Sequence, residues 1–108
     1  MKEKTVFITS ALPYANGPLH LGSMVEHTQS DIYARFLRMM GKKVVYVCAD
    51  DTHGTPIELN AAKLGKTPEQ FIKEWHKNHS EDLSGYNISY DSFYSTNSTE
   101  STYSTEKI

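Results

Sequence analysis

Thr5-Val6-Phe7-Ile8-Thr9 and Lys43-Val44-Val45-Tyr46-Val47-Cys48 are two β-branched, aromatic-bearing runs of strand length, and what lies between them sets the architecture. The first run leads into a loop, Ser10-Ala11-Leu12-Pro13-Tyr14-Ala15-Asn16-Gly17-Pro18, in which Asn-Gly followed by Pro is strong turn chemistry. From about Leu19 to Met40 the apolar residues Leu21, Met24, Val25, Ile32, Phe36 and Met39 recur at helical spacing, with Gly41 where a C-terminal stop belongs. One long amphipathic helix therefore joins two strands. A strand, helix and second strand in this order make a right-handed parallel βαβ unit.

Further along, a polar loop from Ala49 to Thr55 opens a short helix over about Pro56 to Leu64, closed by Gly65. Thr67-Pro68-Glu69-Gln70 carries the cap, first-turn proline and third-position Gln of a capping box, which starts a helix running to about Leu83. Gly85 to Tyr94 reads as irregular or extended. Half of the last stretch is Ser and Thr, the composition of a disordered tail, yet Asn97 followed by Glu100 reads as a helix start with no stop before Ile108. The expectation is a helix from about residue 95 to residue 108, cut by the chain end.

At 108 residues, 38% hydrophobic and 22% charged, the chain fits one small domain with a buried core. Its 11 basic and 13 acidic residues leave a formal charge of −2, which argues against a surface that clamps a nucleic-acid backbone by itself. The single cysteine, Cys48, excludes an internal disulfide and a cysteine-built zinc site, and a reducing, cytoplasmic location is expected. Met1 to Lys4 is charged and leads into only a short apolar run, the pattern of neither a signal peptide nor a membrane span.

Open parallel sheets bind ligands beyond the carboxyl ends of their strands, and the loops after Thr9 and after Cys48 both lie at that edge. His20 and Ser23, three residues apart at the start of the long helix, share a face. A helix N-terminus with free N–H groups is a seat for phosphate oxygens; there His20 and Ser23 would donate hydrogen bonds and Gly22 would admit close backbone approach. Taken alone, a histidine in a first helical turn is ordinarily a surface or capping residue.

The combination is more specific. Ala11-Leu12-Pro13-Tyr14-Ala15-Asn16-Gly17-Pro18-Leu19-His20-Leu21-Gly22-Ser23 resembles the signature loop of methionyl-tRNA synthetases, including the HIGH-type motif of class I synthetases. Cys48-Ala49-Asp50-Asp51-Thr52-His53-Gly54-Thr55-Pro56 resembles the second segment of the same active site, at the family's spacing. Asn87-Ile88-Ser89-Tyr90-Asp91 and Ser95-Thr96-Asn97-Ser98 are similar to a stretch further along that catalytic domain.

The resemblance implies residues 1–108 as the N-terminal portion of a Rossmann-like, doubly wound parallel α/β domain of the class I synthetase and nucleotidylyltransferase type, incomplete here. It implies adenylation of methionine by ATP, with Mg2+ accompanying the nucleotide as substrate, and transfer to tRNA(Met). By resemblance, His20 and Ser23 take the catalytic positions. Pro13, Tyr14, Asn16, Gly17, His20, Gly22 and Ser23 take the ATP side; Ala11, Leu12, Tyr14 and Asp51 take the methionine side, Asp51 accepting the substrate ammonium. The family often has a second histidine where Ser23 stands, and a serine there cannot become a cation. Zinc, present in many members, would have its ligands beyond residue 108. The KMSKS-type loop has no counterpart in this sequence. The implied partners are methionine, ATP, tRNA(Met) through the full-length enzyme, and the remainder of the synthetase chain or a complementary subunit, without a membrane.

Blander readings apply elsewhere. Asp50, Asp51 and His53 do not read as a metal set, because adjacent carboxylates project differently, and Asp50 is expected to accept hydrogen bonds from loop backbone. His76 and His79, beside Trp75 on a polar helix, read as a solvated face. Tyr86, Tyr90, Tyr94 and Tyr103 read as packing residues, having no interleaved Arg or Lys. A dinucleotide-binding dehydrogenase needs G-x-G-x-x-G, which the first loop lacks. A nucleotidylyltransferase of the same fold leaves the Ala-Leu-Pro-Tyr and Cys-Ala-Asp-Asp pair unexplained, and a non-catalytic module derived from a synthetase is the remaining alternative.

Overall fold

In the computed structural model, residues 4–99, 102 and 103 are described. Met1 to Glu3, Glu100, Ser101 and residues 104–108 lie outside the described residues, and with them most of the expected terminal helix. The element order is β1 (Thr5–Ile8), α1 (Leu21–Met39), β2 (Lys43–Asp50), α2 (Thr55–Lys63), α3 (Pro68–Gly85) and β3 (Ser92–Ser95). The strands stand in the order β1-β2-β3, all parallel, with Ile8 opposite Tyr46 and Asp50 opposite Ser95. This is an α/β architecture, and the loops that follow its strands, residues 9–20, 51–54 and 96–98, emerge at one edge of the sheet.

β2 is the central strand, and its pleat sends Tyr46, Cys48 and Asp50 to one side, all three buried. It continues two residues past Cys48 because its end is paired with β3, from Val47 opposite Ser92 to Asp50 opposite Ser95. The third strand begins within the stretch expected to be irregular or extended, Gly85 to Tyr94, and runs one residue past it to Ser95; residues 86–91 are the irregular part. At the far end, residue 95 is still strand and helical backbone begins at Thr99, with Thr102 N–H donating to the Ser98 carbonyl.

α1 departs from expectation in which side it buries. Of the six apolar positions only Met24 is buried; Leu21, Val25, Ile32, Phe36 and Met39 are exposed. The buried stripe is Met24, His27, Asp31 and Ala34, spaced three, four and three residues apart. It turns inward because its polar members find partners there. Asp31 accepts from the Ser89 N–H at 2.8 Å and from Arg35 Nε at 2.8 Å, and Arg38 donates to the Ser89 hydroxyl at 2.7 Å. These contacts tie the 87–91 loop to α1. Tyr90 is a packing residue as expected, its ring 4.6 Å from Tyr46 and 5.2 Å from Phe93, whereas Tyr86, Tyr94 and Tyr103 are exposed.

The three helices end alike. Lys42 N–H reaches the Leu37 carbonyl, Lys66 N–H reaches Ala61 and Ile88 N–H reaches Leu83, the last through Asn87 at a positive φ of 60°. The predicted capping box at Thr67 and Gln70 is formed, and α3 runs to Gly85. Its buried residues Phe71 and Ile72 join Ile57 and Ala61 of α2 and Ala15 of the first loop in one apolar cluster, with Trp75 packed against it. No helix among the described residues is long and apolar enough to cross a membrane.

Candidate active site

The loop after β1 is fastened to the loop after β2 through main chain. Asp51 N–H donates to the Pro13 carbonyl at 2.7 Å and Ala15 N–H to the Asp51 carbonyl at 2.9 Å, so Tyr14 and Asp51 stand side by side as a one-residue extension of the sheet. Ala15 faces back into the apolar cluster. The other side of the loop walls an open cavity of about 600 Å3. Ala11, Leu12, Pro13, Tyr14, Asn16 and Gly17 line it from the loop, and His20, Gly22 and Ser23 line it from the start of α1. Every residue expected on the ATP side is therefore at one cavity. Of the residues expected on the methionine side, Asp51 alone is not in its wall; its carboxylate accepts from the His53 N–H at 3.2 Å.

His20 is the N-cap of α1. Its Nδ1 accepts from the Ser23 N–H at 3.2 Å, which leaves the hydrogen of the neutral ring on Nε2, 3.2 Å from Ser23 Oγ. The ring folds over Gly22, where a Cβ would stand 3.1 Å from two imidazole atoms. No acidic side chain sits in the first turn, so nothing of the helix's own offsets its positive end. Tyr14 is fitted just as closely: a Cβ at Gly54 would approach its hydroxyl to 2.5 Å, and Gly54 has φ +125°.

Below the cavity, α1 holds Ala11 from both sides. Glu26 Oε1 accepts from the Ala11 N–H at 2.7 Å and His27 Nε2 donates to the Ala11 carbonyl at 3.2 Å. With its hydrogen on Nε2, His27 accepts from the Tyr90 hydroxyl at Nδ1. Burial lowers the His27 pKa and outweighs the Ala11 carbonyl, Glu26 and Asp50, so the ring is neutral. The neighbouring Tyr46 hydroxyl, 2.6 Å from Ser10 Oγ, and the Tyr90 hydroxyl are pushed up by burial, as is the Cys48 thiol.

Asp50 corrects two expectations together. It accepts from Nδ1 of His76 at 2.7 Å and Nδ1 of His79 at 2.8 Å, not from loop backbone. His79 is fully buried, His76 is partly buried and stacked on Phe93 with ring centres 5.3 Å apart, and so neither stands on a solvated face. The polar neighbours of α3 hid the stripe that could have found them. Phe71, Ile72, Trp75, His79 and Leu83 follow one another at helical spacing, which puts His79 inside an apolar row. His27 and Glu26 were missed for lack of an equally clear pattern, although His27 lies two turns after His20 on the same face. At the far side of the edge, Thr96 Oγ1 accepts from the Thr52 N–H at 2.9 Å and lies 3.3 Å from His53 Nδ1. Among the described residues no three His, Cys, Asp or Glu side chains converge to hold a metal ion.

The chain is similar to known proteins in sequence and in fold. A family model described as tRNA synthetases class I (M) matches residues 6–108. A methionine–tRNA ligase of Myxococcus xanthus (strain DK1622) is 61% identical over 100 residues, which are 93% of this chain and 14% of that protein. Among solved structures, Mycobacterium tuberculosis methionyl-tRNA synthetase bound by methionyl-adenylate superposes with a TM-score of 0.85 at 27% identity, over 89% of this chain and 19% of that one. A LeuRS–tRNA–LeuAMS ternary complex from Agrobacterium radiobacter K84 gives 0.86 at 23% identity, over 99% of this chain and 14% of that one, and shares the fold. The chain thus spans about one seventh of its curated relative's length.

Proposed function

This chain belongs to the class I tRNA synthetases of the methionine type, and from that premise we propose that residues 1–108 are the N-terminal portion of a catalytic domain that activates methionine with ATP and transfers it to tRNA(Met) in the cytoplasm. The observation that carries the proposal is the single cavity shared by the Ala11–Gly17 loop and the start of α1, closed from below by main-chain bonds to the end of β2. The rest of the synthetase chain, or a complementary subunit, supplies the other walls.

In the proposed reaction a methionine carboxylate oxygen attacks the α-phosphorus of ATP in line. An O–P bond forms, the bond to the bridging oxygen breaks with its electron pair, and magnesium pyrophosphate leaves. Proteins accelerate such a step by positioning and by stabilising charge on the phosphate oxygens. His20 turns its Nε2 hydrogen from Ser23 Oγ to a phosphate oxygen and Ser23 donates from its hydroxyl, beside the positive end of α1, whose first turn carries no acidic side chain. Pro13, Asn16, Gly17 and Gly22 shape the nucleotide side, while Ala11, Leu12 and Tyr14 shape the methionine side. Asp51 accepts from the substrate ammonium with the carboxylate capacity that His53 leaves free.

The test is calorimetric titration of the complete enzyme carrying this segment with non-reactive aminoacyl-adenylate analogues. Saturable binding of the methionyl analogue, with isoleucyl and leucyl analogues at least about 100-fold weaker, is the expected result. Equal affinity for all three, or none for the methionyl analogue, would contradict the proposal.

A further inference from the structure

Under the Asn16-Gly17-Pro18 turn, His79 has both ring nitrogens committed. Nδ1 lies 2.8 Å from Oδ1 of Asp50 and Nε2 lies 2.6 Å from the carbonyl oxygen of Gly17. A carbonyl oxygen only accepts, so Nε2 carries a hydrogen. Between a carboxylate and an imidazole the ring is the stronger base, so Nδ1 carries one as well. A ring protonated at both nitrogens is a cation. The other oxygen of Asp50 accepts from His76, so each oxygen of this carboxylate takes an imidazole donor and together they hold the end of β2 to α3.

The turn depends on this link. A Cβ at Gly17 would find nothing within 4 Å, so that side of the turn is open. Besides Nε2 of His79, the turn is anchored from the helices by Asn60, which donates to Asn16 Oδ1 at 2.8 Å. Three residues after Gly17 comes His20, the cap of α1, and Gly17, His20 and His79 line the same cavity.

We infer that His79 is a positioning residue for the proposed reaction: as an imidazolium clamped between the Asp50 carboxylate and the Gly17 carbonyl, it sets where the nucleotide side of the cavity stands. The inference rests on the reading of the site given above. Deprotonation leaves one hydrogen for two acceptors: either Gly17 loses its donor, or a bare Nδ1 faces the Asp50 carboxylate and repulsion pushes the ring away, and in both cases the grip on the turn loosens.

The groups facing the ring set the range. Asp50 approaches from β2, His76 and Asp82 belong to α3, and Glu26 and His20 of α1 border the same cavity. Burial disfavours the cation, but the hydrogen bonds to Asp50 and Gly17 and the charges of Asp50 and Asp82 outweigh it, so the pKa lies above the ordinary histidine value. The clamp is therefore whole below that ordinary value and opens as pH rises through the raised one.

The experiment uses the complete enzyme labelled with 15N in its histidine rings, His79→Gln identifying the signal. At neutral pH both His79 ring nitrogens are expected to resonate as protonated. Through the pH range where the ring then titrates, the KM for ATP in methionine-dependent pyrophosphate exchange is expected to rise about tenfold with kcat nearly constant. His79→Gln, which keeps a donor for Gly17 but no cation, is expected to show no such step. A bare ring nitrogen at neutral pH, or a KM for ATP that ignores the titration, would overturn the inference. Where the variant fails to fold, the His79 signal is assigned from its proximity to Trp75, ring centres 6.1 Å apart, and the wild-type spectrum and pH profile still decide it. Absence of methionine-dependent exchange in the wild-type enzyme would instead overturn the functional reading, leaving the ring spectrum to judge the clamp.

Discussion

His20 caps α1, and in the proposed site the same ring donates to a phosphate; two substitutions separate these roles. His20→Ala removes both and is expected to slow adenylate formation about 10²- to 10³-fold with little change in methionine affinity, and to lower stability by about 1 kcal/mol. His20→Asn restores the cap to the Ser23 N–H, so its thermal midpoint is expected at the wild-type value while the exchange rate stays low. A normal exchange rate in either variant would remove His20 from the phosphate site. The two adjacent acids are expected to divide differently. Asp51→Asn should weaken methionine by about 2–5 kcal/mol, the scale for truncating one partner of a desolvated charge pair. Asp50→Asn leaves one acceptor oxygen for two imidazole donors and sets an amide N–H against the other, so it should lower the thermal midpoint while the folded enzyme keeps its methionine affinity; equal effects in calorimetry, or the reverse order, count against the assignment. The sequence made the loop residues legible because they form a continuous motif. It hid the partners of Asp50, since His76 and His79 lie far along the chain and only tertiary packing brings them to the end of β2.

At the level of the elements, α1 was legible in its extent and not in its orientation. Periodicity marks an apolar stripe, but the stripe that turned inward is the one whose His27 and Asp31 are satisfied by Ala11, Tyr90 and Ser89. Those contacts make α1 sensitive to acid. His27 is held below its ordinary pKa by burial. For Asp31, burial raises the pKa, but the Ser89 and Arg35 hydrogen bonds outweigh it and leave it lowered. Each contributes stability that is complete above its unfolded-state pKa and lost as pH falls through the folded one. The thermal midpoint is therefore expected to drop first below the histidine range and again below the carboxylate range, and His27→Gln should abolish the first drop only. α3 was legible at its start because the capping box is local. Thr67→Ala is expected to cost about 1 kcal/mol in denaturant unfolding. β3 was not legible, since a four-residue strand is defined by its pairing to β2 and not by a pattern of its own.

Across the whole molecule, a parallel sheet must be covered on both faces, and among the described residues β1–β3 with α1–α3 leave much apolar surface in the open. Phe7 on β1 is 74% exposed, and Leu21 and Met39 on α1 are 79% and 87% exposed. The 108-residue chain by itself is expected to bind a hydrophobic dye, to unfold without a sharp transition well above ambient temperature, and to charge no tRNA. Fold class was legible from the order of strand, loop, helix and strand, because the βαβ unit has so few parallel alternatives. In the proposed function the Ala11–Ser23 loop and the end of β2 build a methionine-activating site. Methionine-dependent exchange of labelled pyrophosphate into ATP, measured on the complete enzyme against a panel of amino acids, tests it most directly. Exchange with methionine, absent for the other amino acids and lost in His20→Ala, is the predicted result; exchange driven by a different amino acid, or none with methionine, would contradict it.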